Sequence, residues 1–231
     1  MNQEAWQKWF ETLWADREEH WYPQFFGKLG EGIYTLTPKI FAELGETDVD
    51  PRHLTIGVLE SPPNEQHGHW LYVTSGLSNP WGDGPGAAEP EALSGLGLEL
   101  TMHTPAKAPW AIRVLQWLMA VQVLVATGKM EGHLLEYADR VPLGSPLGDS
   151  TGALDWLVIA PPEEISADGG AAAGYPARFT LASGHVDLML VLAVTAREAD
   201  FSRTQGIDAL ASLLRHHGVY PVSDPARPAV L

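Results

Sequence analysis

The segment from Trp110 to Thr127, between Pro109 and Gly128, is apolar nearly all the way round a helical wheel and is broken only by Arg113, Gln116 and Gln122. A helix without a polar face needs apolar surroundings on every side, so it belongs in a core or a membrane. Length alone permits the second, because ~20 apolar residues cross a bilayer. An arginine and two glutamines in so short a run make that costly. The expectation is a buried central helix packed on a sheet.

The sheet is visible in the same way. Leu54–Glu60 and Trp70–Ser75 are rich in β-branched, aromatic and aliphatic residues, and the turn formers of Ser61–Gly68 lie between them. Two antiparallel strands are expected there. Gly95–His103 alternates, which places Leu96, Leu98, Leu100 and Met102 on one face of a strand. Leu154–Ile159 and Val186–Val194 read as further strands, the second apolar on both faces and therefore central.

Ala5, Trp6, Trp9, Phe10, Leu13 and Trp14 recur at helical spacing opposite Glu4, Lys8, Glu11 and Asp16, giving an amphipathic helix within residues 1–20 whose aromatic stripe is expected in the core. Its acidic face disfavours an anionic membrane surface. Thr195 and Glu198 have capping-box spacing and open a later helix. A second pattern, Ile207, Leu210, Ala211 and Leu214, ends at Gly218, and Pro221, Pro225 and Pro228 in the 218–231 tail cannot continue it. With 231 residues, an apolar fraction of 45% and 9 Trp, one core can form without staples. The fold class expected is α/β (α+β): a single domain over residues 1–231 with a mixed, mainly antiparallel β-sheet packed against α-helices.

The chain has no cysteine, which excludes disulfides, thiolate zinc sites and thiol chemistry. Its start lacks the basic and apolar regions of a secretory signal, so a cytoplasmic location is expected. A net charge of -15 opposes phosphate backbones, which argues for no nucleic acid, favours a basic partner and also simply keeps a protein soluble.

Three patterns invite chemistry. His67 and His69 could turn their imidazoles to one side, but Glu60, Glu65 and the more distant His103 are all that could complete a ligand set. Gly76-Leu77-Ser78-Asn79-Pro80 falls one residue short of a hydrolase nucleophile elbow, with proline at the second glycine. Gly95 and Gly97 share a strand face with Glu99 and leave room for something bulky beside that carboxylate, unless neighbouring donors in the sheet satisfy it. No cofactor and no catalytic set are expected. His216 and His217 suit the last turn of their helix.

The order of the pieces is more specific than any one of them. Tyr72 through Ser78, a polar loop, Ser94 through Thr101, then Pro109-Trp110 and the long apolar helix, together resemble the suppressor-of-fused domain. Pro146 through Ser150, Gly184-His185-Val186, Thr195 through Glu198, Gly206-Ile207 and Leu213-Leu214 continue the likeness, which covers about residues 50–217. The resemblance implies a mixed α/β domain like the N-terminal half of the animal regulator, where it clasps a transcription-factor peptide. It also implies action through protein binding without enzymatic activity. Stand-alone bacterial relatives are assigned as immunity proteins that neutralise toxins, and such a role is the leading expectation here. Transferred from the family, the partner-binding residues are Tyr72, Asn79, Trp81, Asp83 and Glu99, with Asn79 standing where aspartate is usual. A metal-dependent enzyme using His67, His69 and Glu99, and a scaffold or regulatory binding protein, remain as alternatives.

Overall fold

The computed structural model describes residues 3–81, 92–147, 154–162 and 174–231. The expected alternation is present in the strand that holds Leu98, Leu100 and Met102, whose side chains share one face. β2 (Gly57–Ser61) and β3 (Trp70–Ser75) pair antiparallel, following the short edge strand β1 (Tyr34–Thr35). β3 then pairs antiparallel with β4 (Leu93–Thr104), Tyr72 lying opposite Met102. The run Pro51–Leu54 forms a 3-10 turn, so the first long strand starts three residues later than its β-branched composition predicts.

β5 (Arg140–Pro142), β6 (Leu154–Ala160), β7 (Arg178–Leu181) and β8 (Gly184–Thr195) complete an eight-stranded sheet of order β1-β2-β3-β4-β8-β6-β5, with β7 paired to β8. Only the β4–β8 pair is parallel among the described strands. β8 is central, as its unbroken apolar run requires. Met189, Val191 and Ala193 point to one face, while Leu190, Leu192 and Val194 point to the other.

Helix α4 (Pro109–Ala126) covers the first face. Although it is long and apolar enough to cross a membrane by length and composition, ten of its residues are buried against the sheet and its surroundings. Two of its three polar residues bond to neighbouring elements and the third faces solvent. Gln116 donates to the carbonyls of Tyr34 and Thr35, tying the helix to β1. Gln122 is buried and accepts from the Leu135 amide at 2.7 Å. Arg113 stays at the surface.

The second face is shared. Helix α1 (Gln3–Ala15), a π-helical turn (Asp16–Trp21) and α2 (Tyr22–Phe26) bring Leu13, Tyr22, Phe25 and Phe26 onto Leu59, Leu71 and Val73. The expected N-terminal helix thus continues past residue 20 through a π-turn. Its stripe is only partly core: Leu13 is buried, whereas Trp14 is 43% exposed. After the short helix α3 (Pro38–Glu43) on the α4 side, the remaining helices are α5 (Ala196–Gln205) and α6 (Ile207–His216), which cover β6 and β8 through Ala199, Leu210 and Leu214. The tail after α6 crosses back over the sheet, bridging Val222 to His103.

Candidate functional site

β3 ends at Ser75, where Gly76 (φ +125°) turns the chain back and the Asn79 amide donates to the Gly76 carbonyl. A side chain at Gly76 would collide with Ile56, so only glycine fits. The turn then lies against the start of β4. Leu96 donates to the Leu77 carbonyl, and a Cβ at Gly95 (φ +58°) would stand 2.5 Å from the Asn79 carbonyl oxygen. The room expected beside Glu99 is therefore filled by the protein's own turn.

Glu99 is fully buried beneath it. Its carboxylate accepts from the Thr74 hydroxyl (2.5 Å), the Gly76 amide (2.8 Å), the Ser78 amide (2.9 Å) and the Ser78 hydroxyl (2.6 Å). Arg17, delivered by the π-turn and 1% exposed, completes the network. Its Nε donates to Ser75 at 3.0 Å, its Nη1 donates to Ser78 at 3.0 Å and to Asn79 Oδ1 at 2.7 Å, and that same nitrogen lies 3.9 Å from Glu99. Ser75 also donates to Glu18. Burial raises the Glu18 carboxyl above its ordinary range, against the lowering contributions of Ser75 and Arg17.

The expected partner-binding residues thus separate. Tyr72 is fully buried, and its hydroxyl accepts the Ala108 amide at 2.7 Å, capping α4. Tyr72 and Glu99 are therefore buried with their polar atoms bonded inside the fold, the Tyr72 hydroxyl to the start of α4 and the Glu99 carboxylate to the turn. Asn79 is 5% exposed with its amide oxygen held by Arg17. Asp83 lies outside the described residues. Trp81 meets an open cleft, and Asn79 lines a separate pocket on the other flank of the turn.

That cleft, of 410 Å³, lies between the turn, the segment Glu46–His53 and the C-terminal end of α4. Phe41, Leu77, Leu96, Val123 and Leu124 make an apolar floor. Trp81 forms a wall, held by the Arg52 guanidinium 5.8 Å from its ring and by Phe10 at 5.4 Å. Glu46, Asp48, Asp50, Arg52, His53 and Lys129 set a charged rim. Hydrogen bonds from Arg52 hold the Asp50 carboxyl down to about 2. A surface with an apolar floor, an aromatic anchor and a polar rim has the anatomy of a protein-binding patch.

The histidines sit at the other end of β3 and β4. His67 lies before the strand, not on it, with Nδ1 against the His69 carbonyl and Nε2 against the Phe26 carbonyl. His69 bonds to the buried His103, whose Nε2 meets the Tyr175 hydroxyl at 3.1 Å. Among the described residues no group of three or more such side chains is arranged to hold a metal. Ser78 is fully buried and donates to Glu99, so its hydroxyl is not presented as a nucleophile.

Arg17 and Glu18 escaped the sequence reading. The signal was present: counting on from Leu13 by four, the apolar stripe places a charged residue at an inward position. Such a residue needs buried partners, and the Gly-Leu-Ser turn supplies them.

Comparison with known proteins agrees with this architecture. The family model described as suppressor of fused protein (SUFU) matches residues 50–228. A crystal structure of a Sufu–Fu complex is similar at TM-score 0.54 and 21% identity, over 76% of each chain. Drosophila Suppressor of Fused gives TM-score 0.53 and 18% identity over 76% of this chain, which spans 42% of that structure's chain. A Neisseria gonorrhoeae homologue gives TM-score 0.54 and 16% identity over 99% of this chain and 98% of its own. No curated protein matches.

Proposed function

Because this chain belongs to the suppressor of fused protein family, we propose that it acts by binding another protein and catalyses no reaction. One observation of the structure supports the reading above others: the open cleft whose wall is Trp81, built against a turn that a buried ionic network holds rigid. A preorganised surface loses little freedom when a partner docks, which favours affinity. A related Sufu structure is a complex with another protein, Fu.

The finer proposal is an immunity protein that neutralises a toxin domain in the cytoplasm. The net charge of -15 supports it, since an acidic surface speeds capture of a cationic domain by ~10–1000-fold at low salt. Co-expression with the toxin encoded beside its gene is expected to rescue growth, and the purified pair to form a stoichiometric complex that associates more slowly as salt rises. Trp81→Ala is expected to weaken that complex by at least about tenfold, the effect of losing an aromatic anchor. No rescue and no complex would remove the toxin role. Rescue unaffected by the Trp81 variant would move the binding surface elsewhere. Stoichiometric zinc or iron in protein purified without added metal would instead revive a metal-dependent reading.

A further inference from the structure

The turn has a second flank. There a smaller pocket, of 230 Å³, opens between α1 and the end of β3. Phe10 and Trp14 wall it, Glu11 stands beside them, and Arg17, Glu18 and Asn79 lie at its base. Trp14 is 43% exposed although it belongs to the apolar stripe, so the core leaves this indole unused.

Charge in the pocket is unbalanced. Arg17 is the only basic residue among the described ones that line it, and its guanidinium lies 3.5 Å from Glu18 and 3.9 Å from Glu99 just beneath. One cation therefore faces two carboxylates, both shielded from water, and Glu11 adds a third at the exposed rim. An unmatched negative charge in such a setting is costly, and a further cation would relieve it. Burial raises the Glu18 carboxyl, and the Glu99 charge adds a small contribution in the same direction.

Aromatic faces attract cations as well. A long basic side chain would use both features at once, its alkyl stem lying along Phe10 and Trp14 and its charged end reaching Glu18 and Glu11. Phe10 also contacts Trp81, so the two pockets share an aromatic wall on either side of one turn.

We propose that this pocket receives a lysine or arginine side chain of the protein partner. The inference rests on the protein-binding reading, but its test does not need the partner. Nα-acetyl-arginine methylamide and Nα-acetyl-lysine methylamide are titrated into the full chain while the Trp14 indole N–H resonance is followed, with the neutral citrulline analogue as control. Saturable shifts with the two cations and none with citrulline are expected. Glu18→Gln is expected to weaken binding by at least about tenfold, as the loss of a shielded charge partner does. Glu11→Gln alters an exposed side chain and keeps the test sharp if the Glu18 variant fails to fold; a smaller weakening is expected there. Equal shifts with citrulline, no saturable shift with either cation, or affinities unmoved by both variants would overturn the proposal. Saturable cation binding together with failure of every search for a protein partner would leave the pocket standing and defeat the wider reading instead. A partner complex indifferent to neutralising the partner's lysines and arginines would do the reverse.

Discussion

Arg17 shows how much one side chain can hold. Its three donor nitrogens join the N-terminal segment to Ser75, Ser78 and Asn79 and bond to Glu18 beside it, and its charge faces Glu99. Arg17→Met keeps the apolar stem and deletes the cation, leaving Glu99 buried with neutral donors alone. The expected cost is about 3–5 kcal/mol by urea denaturation, the usual penalty for stranding one member of a buried pair. A loss under about 1 kcal/mol would mean the hydroxyl and amide donors suffice. Gly95→Ala is expected to destabilise by more than about 1 kcal/mol, since it combines a positive φ with a backbone clash. The sequence showed Gly95, Gly97 and Glu99 to be related by spacing. What it could not show was that the filler beside the carboxylate is the Leu77–Asn79 backbone, 16 or more residues away in the chain.

Helix α5 illustrates the same division among elements. Its capping box is present as read: Thr195 Oγ1 accepts from the Glu198 amide, and Glu198 accepts from the Thr195 amide. Both partners lie within three residues, so local spacing suffices. The tail was legible only as a segment that proline keeps from being helical. In the fold it is a strap. Ser223 donates to the His103 carbonyl and accepts from the Ala193 amide, while Arg227 and the Val230 amide reach the Glu198 carboxylate. Burial works against the charged Glu198, but Arg227 and the two amides outweigh it and hold the carboxyl below its ordinary range. Thr195→Ala is expected to cost about 1 kcal/mol, a lost cap. Arg227→Ala is expected to cost about 3–5 kcal/mol, because it leaves Glu198 buried and unpaired. Equal losses in thermal or urea unfolding would show that Glu198 serves the cap alone.

For the whole molecule, the buried histidines make acid the weak direction. Burial, and then the neighbouring His67, lower His69 to about 4, while burial, His69 and His67 push His103 well below the ordinary imidazole range. Once unfolded, both take up a proton near pH 6.5; folded, they resist it. Stability is therefore full above about 6.5 and falls as the pH drops towards 4, by about 1.4 kcal/mol per pH unit for each proton taken up on unfolding. Glu18 acts in the opposite sense, since its raised carboxyl binds its proton more readily in the folded state. Urea midpoints measured from pH 7 to 4 for the protein and for His69→Gln/His103→Gln are expected to show a shallower slope in the variant; an unchanged slope would clear the histidines. The sequence by itself determined the elements: apolar period, capping spacing and turn residues are local properties, and they gave the central helix, the doubly apolar strand β8 and the order of pieces that marks the family. Tertiary structure alone decided which side chains face outward. Tyr72 and Glu99 turned inward, Trp14 and Trp81 came to line pockets, and Arg17 found partners about 60 residues away, because burial and charge pairing depend on neighbours that no local spacing records.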